Sequence, residues 1–212
     1  MMKRNGFLQI ELGHFWEVES LNRKVYVLLT DTGTILTRMI KLYTKKPLNH
    51  VSLVLDDHFS RVYSFGRINQ RNPFIAGFVK ENLKGRLFRD ADCAIYSCTL
   101  TEKQFQIIIE KINRMEENKH HYRYNLLGLI GVMLNLEIDR KNAFFCSHFV
   151  ASVLEESGLP IKNHKPLSLL TPHDIKELTS LEFVYEGKLS SYISNRHENS
   201  FRSYHPDRVE VI

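Results

Sequence analysis

The chain has 212 residues, 43% hydrophobic and 25% charged, with 29 Lys plus Arg against 24 Asp plus Glu and a formal charge of +5. This composition excludes disordered, collagen-like and small disulfide-stapled classes, and the mild positive surplus tolerates an anionic partner without demanding one. At about 1.4 times the roughly 150-residue domain prior, the length fits one domain with an appendage better than two.

The first 24 residues read as a mixed lead-in. Lys3 and Arg4 resemble the start of a signal peptide, but Gln9, Glu11 and His14 interrupt what would be its apolar segment, so a cytoplasmic location is expected. A strand is predicted over 25–30, followed by a turn at Asp31-Thr32-Gly33-Thr34. That turn lacks the Gly-Lys-Ser/Thr ending of a phosphate loop. Ile35, Leu36, Met39, Ile40 and Tyr43 recur at helical spacing and predict an amphipathic helix stopped before Pro47. Its Arg38, Lys41, Lys45 and Lys46 read as a solvated face that leaves peripheral membrane contact open.

Alternation over 49–55 predicts a strand, Asp56-Asp57-His58 its turn and 61–65 the returning hairpin strand. The stretch 66–89, with Asn72-Pro73, Gly77 and Gly85, reads as a long loop with short strands, a candidate lid or wall. A strand over 92–99 leads to Thr101 and Gln104, a capping box for a helix ending near Asn118. A second helix is predicted over 125–136, apolar nearly all round and therefore expected to be buried. Its core, Leu126 to Leu134, is the longest apolar run and falls far short of the roughly 20 residues that span a bilayer. A third helix begins around Phe144-Phe145-Cys146-Ser147 and stops at Gly158. Thr171-Pro172-His173-Asp174 forms a helix start. A last strand is expected over 181–185, and from Gly187 the chain reads as a polar, scattered tail. The domain reading is therefore 1–24 lead-in, 25–186 folded domain and 187–212 tail.

Three cysteines cannot all pair, so free thiols in a reducing compartment are expected. Cys93 and Cys98 lie five apart in a strand, on opposite faces, and His120-His121 lack a second ligand pair, so no metal site or cofactor is implied. Cys146 is the most informative position. At the amino end of an apolar helix its thiol should ionise more readily than a free thiol near 8.5, and the helix N–H groups could hold an oxyanion. The same window, with Phe144, Phe145 and Phe149, also fits a core thiol. His50, opening a buried-type strand, is the best base; His148 and His58 are weaker partners. The strand after His50 contains no acid. Ser64 is the polar residue at the right depth to orient the imidazole, although it brings no charge to stabilise an imidazolium.

The order Asn49-His50-Val51-Ser52-Leu53, a hairpin partner strand, Phe145-Cys146-Ser147-His148-Phe149-Val150 and Thr171-Pro172-His173-Asp174-Ile175 resembles the circularly permuted NlpC-type papain-like superfamily. That group includes YiiX/YaeF-like amidases and the lecithin retinol acyltransferase group. Tyr63-Ser64-Phe65-Gly66-Arg67 and Tyr124-Asn125 are similar to segments of an uncharacterised bacterial branch.

The resemblance implies an α+β fold in which a small antiparallel sheet packs against helices. It implies Cys146 as nucleophile and His50 as base, with Ser64 where relatives carry Glu or His. Tyr63, Arg67, Tyr124, Asn125 and Ser147 become candidate substrate contacts, although Tyr124 and Asn125 also read as packing and capping. The expected activity is a cysteine hydrolase or acyltransferase acting on an amide of a peptide or cell-wall fragment, or on an ester or thioester of a lipid. The alternative is a weak or inactive member that binds a peptide or acyl ligand in the same cleft. The expected partner is a peptide, amide or acyl-lipid substrate. No nucleic-acid module is recognisable.

Overall fold

Val25, Val27 and Leu29 alternate with Tyr26 and Leu28, and all five side chains are buried, so β1 (Arg23–Thr30) needs apolar cover on both faces. It receives that cover at the centre of a six-stranded sheet of order β4-β3-β2-β1-β5-β8, in which every neighbouring pair is antiparallel. The other strands are β2 (His50–Val54), β3 (Val62–Arg67), β4 (Ala76–Lys80), β5 (Asp92–Leu100) and β8 (Glu182–Lys188). The computed structural model describes residues 22–204 except 34, 69–74, 162–164 and 179. The expected lead-in up to residue 21 and the Asn72-Pro73 pair lie outside the described residues.

Helix α1 (Ile35–Thr44) joins β1 to β2, and α2 (Glu102–Glu117) follows β5 with the expected Thr101–Gln104 capping box in place. α4 (Cys146–Glu156) packs against β2 and β3, with nine of its eleven residues buried. α5 (Pro172–Lys176) starts at Thr171, whose hydroxyl and the Asp174 carboxylate cap each other's backbone. A two-stranded parallel pair, β6 (Arg123–Tyr124) and β7 (Ala143–Phe144), sets the start of α3 (Leu126–Leu134) beside the start of α4.

The core has two layers. Val25, Val27, Leu29, Val51, Leu53, Phe65 and Cys98 pack with α2 and α4 on one side of the sheet. Tyr26, Leu28, Val54, Val62, Cys93 and Ile95 face the other side, covered by Leu83, Phe88 and Leu189. The two strand cysteines thus fall on opposite faces, as their spacing required.

Two readings are corrected. Residues 189–204 are not scattered: α6 (Leu189–Tyr204) continues from β8, and Leu189, Tyr192 and Ile193, at i, i+3 and i+4, lay an apolar stripe on the second core layer, while 205–212 lie outside the described residues. Arg196 anchors it over the rings of Tyr26, Phe59 and Tyr192. α3 is not buried all round. Gly128, Leu129 and Gly131 face inward, whereas Leu126, Leu127, Ile130 and Leu134 are exposed. Among the described residues no helix is long and apolar enough to cross a membrane.

Candidate active site

Phe145 stands in extended conformation before α4 and gives it no side-chain cap. The N–H groups of the first turn, those of Cys146, Ser147 and His148, therefore have no intrahelical partner, and the positive end of the helix dipole lies at the thiol. The start of this helix is held from two sides. The Ser147 hydroxyl donates to the Leu170 carbonyl at 2.6 Å. On the other side, Asn125 N–H donates to the Phe144 carbonyl at 2.9 Å, which seats Tyr124 next to Cys146. Burial, and then the charge of Cys146, hold the Tyr124 hydroxyl well above the usual phenol range, so the Tyr124 hydroxyl stays neutral.

His50 reaches the site from the first residue of β2. Asn49 fixes the entry to that strand: its amide donates to the carbonyls of Lys46 and Pro47 at 2.8 and 3.1 Å, and its oxygen accepts from Thr44 at 3.0 Å. The imidazole Nε2 lies 2.8 Å from Glu81 Oε1, and the Ser52 hydroxyl donates to the other oxygen, Oε2, at 2.5 Å. Glu81 is almost fully buried and follows directly on β4, where its N–H donates to the Val62 carbonyl at 2.8 Å. Gly66 leaves room beside the pair, since a Cβ there would lie 3.6 Å from His50 Cε1 and 3.7 Å from Glu81 Oε1.

Burial alone would push the His50 pKa down. The Glu81 carboxylate opposes it, and the Cys146 thiol adds a hydrogen bond and negative charge, so the balance lifts the imidazole to about 10. The balance favours the imidazolium form. With Nε2 held by Glu81, Nδ1 is the ring nitrogen left for the thiol. Cys146, His50 and Glu81 form one electrostatic series.

The structure gives Ser64 a different job from the expected one. β2 and β3 pair at Leu53↔Tyr63 and Val54↔Val62, and nearer His50 the Ser64 hydroxyl donates to the Val51 carbonyl at 2.7 Å. It fills a gap between the strands rather than orienting the imidazole. Tyr63 is buried, stacked on Phe78 with Lys80 over its ring, and so is a packing residue. Arg67 ends β3 opposite Ala76. Asn125 uses both polar ends locally, accepting from Gly128 N–H at 2.9 Å and donating to the Ile138 carbonyl at 2.9 Å, as a cap does. Of the candidate substrate contacts, Tyr124 and Ser147 adjoin Cys146, the latter with its hydroxyl already engaged. His148 is packed between the rings of Phe144 and Phe145 with Nδ1 buried and unpartnered among the described residues, which suits a neutral imidazole. Burial holds its pKa below the usual value.

Glu81 and Ser52 are the site residues that sequence reading missed. The signal was present: Glu81 is the only acid between Asp57 and Asp90, but it sits in the stretch read as a long loop with short strands.

Cys146 is only 4% exposed. It borders a small hollow of about 20 Å³ with an almost wholly apolar lining, walled by Ile40 and Tyr43 of α1, Leu129 and Met133 of α3, and Leu170. Among the described residues no cluster of His, Cys, Asp and Glu could hold a metal ion. No known family model, curated protein or solved structure matches the chain.

Proposed function

We propose that this protein is a cysteine-dependent hydrolase or acyltransferase of the permuted papain-like type. The observation that carries this reading is the buried series from Cys146 through His50 to Glu81 at the uncapped start of α4. Glu81 supplies the negative charge that Ser64 could not, which removes the reason for preferring an inactive binding module.

In this reading His50 takes the proton of the Cys146 thiol and the sulfur becomes the nucleophile. The sulfur attacks a carbonyl carbon; a C–S bond forms and the carbonyl electrons move to oxygen, which the N–H groups at the start of α4 stabilise. As the tetrahedral species collapses, the bond to the leaving nitrogen or oxygen breaks and Nδ1–H of His50 protonates that atom. The neutral imidazole then takes a proton from water or an acceptor hydroxyl, which attacks the thioester and returns the thiolate. Glu81 holds the ring in one orientation throughout and stabilises its charged form. Amides, of a peptide or cell-wall fragment, remain the leading substrate class; esters and thioesters follow the same path.

The test uses p-nitrophenyl esters and p-nitroanilides with short acyl groups, with mass spectrometry of the acid-quenched protein. The expected result is an acyl adduct on the peptide containing Cys146, and loss of both adduct and turnover in Cys146→Ala. Turnover that survives Cys146→Ala, or the absence of any adduct across both series, would overturn the proposal.

A further inference from the structure

α3 contains no charged residue, yet Leu126, Leu127, Ile130 and Leu134 stand on its outer side with 44 to 63% of their surface exposed. Leu136 just beyond it is exposed as well. The stripe continues onto α1, where the Tyr43 hydroxyl donates to the Val132 carbonyl of α3 at 3.4 Å and Leu42 beside it is 81% exposed. Monomeric soluble proteins seldom leave so many neighbouring large apolar side chains bare without a partner.

The charges around this face have one prevailing sign. Arg38, Lys41, Lys45 and Lys46 are exposed on α1 and the turn after it, and Arg123, Arg140 and Lys141 flank α3. Three acids stand nearby. Asp31 holds Lys41 at 3.0 Å, Glu137 accepts from the Ser168 hydroxyl at 3.1 Å, and Asp139 is exposed. Seven basic side chains against three acidic ones leave a basic rim around an apolar centre, the pattern that lies in the plane of a membrane interface. α3, with nine residues, is about 14 Å long and can rest on a bilayer but cannot cross one.

We propose that the α1–α3 face seats the protein on an anionic lipid bilayer. The apolar hollow that reaches Cys146 is walled by Ile40 and Tyr43 of α1 and Leu129, Val132 and Met133 of α3, so its lining continues the exposed face inward. A docked molecule presents the hollow to the acyl region of the lipid. On the reading of Cys146 as nucleophile, docking brings the thiol to the lipid interface; docking itself does not depend on that reading.

The experiment is co-sedimentation of the full chain with vesicles of phosphatidylcholine alone and of phosphatidylcholine with phosphatidylglycerol. Three proteins are compared: wild type, Leu126→Ser/Leu134→Ser and Lys45→Glu/Lys46→Glu. Wild type should bind the anionic vesicles far better than the neutral ones, and more weakly as salt rises. Each basic residue at such a surface is worth a factor of about five, so Lys45→Glu/Lys46→Glu should lose at least tenfold in apparent affinity; the leucine variant should lose as much through the apolar burial it gives up, both with unchanged thermal melting. Absence of binding to anionic vesicles, or equal binding by all three proteins, overturns the proposal. So does a wild-type dimer in solution that the leucine variant dissolves, which would assign the face to a second copy. Iodoacetamide labelling of Cys146 in the same samples separates the two claims. A reactive thiol without vesicle binding refutes the bilayer alone, and vesicle binding with an inert thiol refutes the nucleophile alone.

Discussion

Replacing Glu81 by Gln keeps the shape of the side chain and an oxygen for His50 Nε2, while Ser52 can turn its hydroxyl to accept from the new amide. Only the charge is lost. In the native protein the environment lifts His50 from 6.5 to about 10, and the Glu81 carboxylate is the largest upward influence acting against burial. That lift favours the imidazolium by roughly 5 kcal/mol at about 1.36 kcal/mol per pH unit. If Glu81 carries a little under half of it, about 2 kcal/mol disappears, a factor of about thirty in the imidazolium-to-imidazole ratio. Glu81→Gln should therefore move the His50 midpoint down towards the ordinary imidazole range. Turnover should fall most at alkaline pH, where the variant's imidazole has lost the proton that the native one keeps. The assay is an NMR titration of isotopically labelled histidine ring resonances, with His50 assigned by His50→Gln. A His50 midpoint that stays where it is in wild type would show that Glu81 does not control the imidazole, and the electrostatic series would fail.

Ser64→Ala should leave the His50 midpoint and Cys146 reactivity unchanged while destabilising the fold by about 1–3 kcal/mol, because the Val51 carbonyl loses its donor in a buried place; chemical denaturation measures it. Gly131→Ala would place a Cβ 2.4 Å from the Leu136 carbonyl oxygen, so the turn closing α3 must shift at a cost of about 1–3 kcal/mol. This should appear as a melting temperature lower by about 2–4 °C per kcal/mol. The raised His50 pKa also sets a pH dependence of stability. Folding retains a proton that the unfolded chain releases near 6.5, so the stabilisation is complete below that pH and is lost as pH rises towards about 10. Melting curves across that window should fall in wild type and flatten in Glu81→Gln.

The sheet was largely legible because alternation and turn chemistry act locally. The strand starting at His50, the hairpin after it, the Thr101 and Thr171 caps and the helix starting at Cys146 all lie where the pattern placed them. The third member of the site was not legible for a topological reason. The orienter was sought on β3, the strand next in sequence, but the carboxylate arrives at the end of the strand beyond it, and β4 lay in a glycine-bearing stretch read as a long loop with short strands. Ser64 was at a suitable depth, yet the loosening of the β2–β3 ladder near Val51 claims its hydroxyl. α3 misled in another way. Apolar residues on every side imply an apolar environment, but the pattern cannot distinguish protein core from an exposed apolar face. In α6 the Leu189, Tyr192 and Ile193 stripe was masked by the polar residues between them.

The most direct test is the rate of iodoacetamide labelling of each cysteine against pH, followed by mass spectrometry in wild type, His50→Ala and Glu81→Gln. Cys146 should label quickly at and below neutral pH, more slowly in Glu81→Gln and slowest in His50→Ala. Cys93 and Cys98 should stay inert, since burial holds both thiols above the usual range, Cys93 at about 12. Labelling of Cys146 that is as slow as that of the two strand cysteines, or indifferent to His50 and Glu81, would make it a core thiol and contradict the catalytic reading.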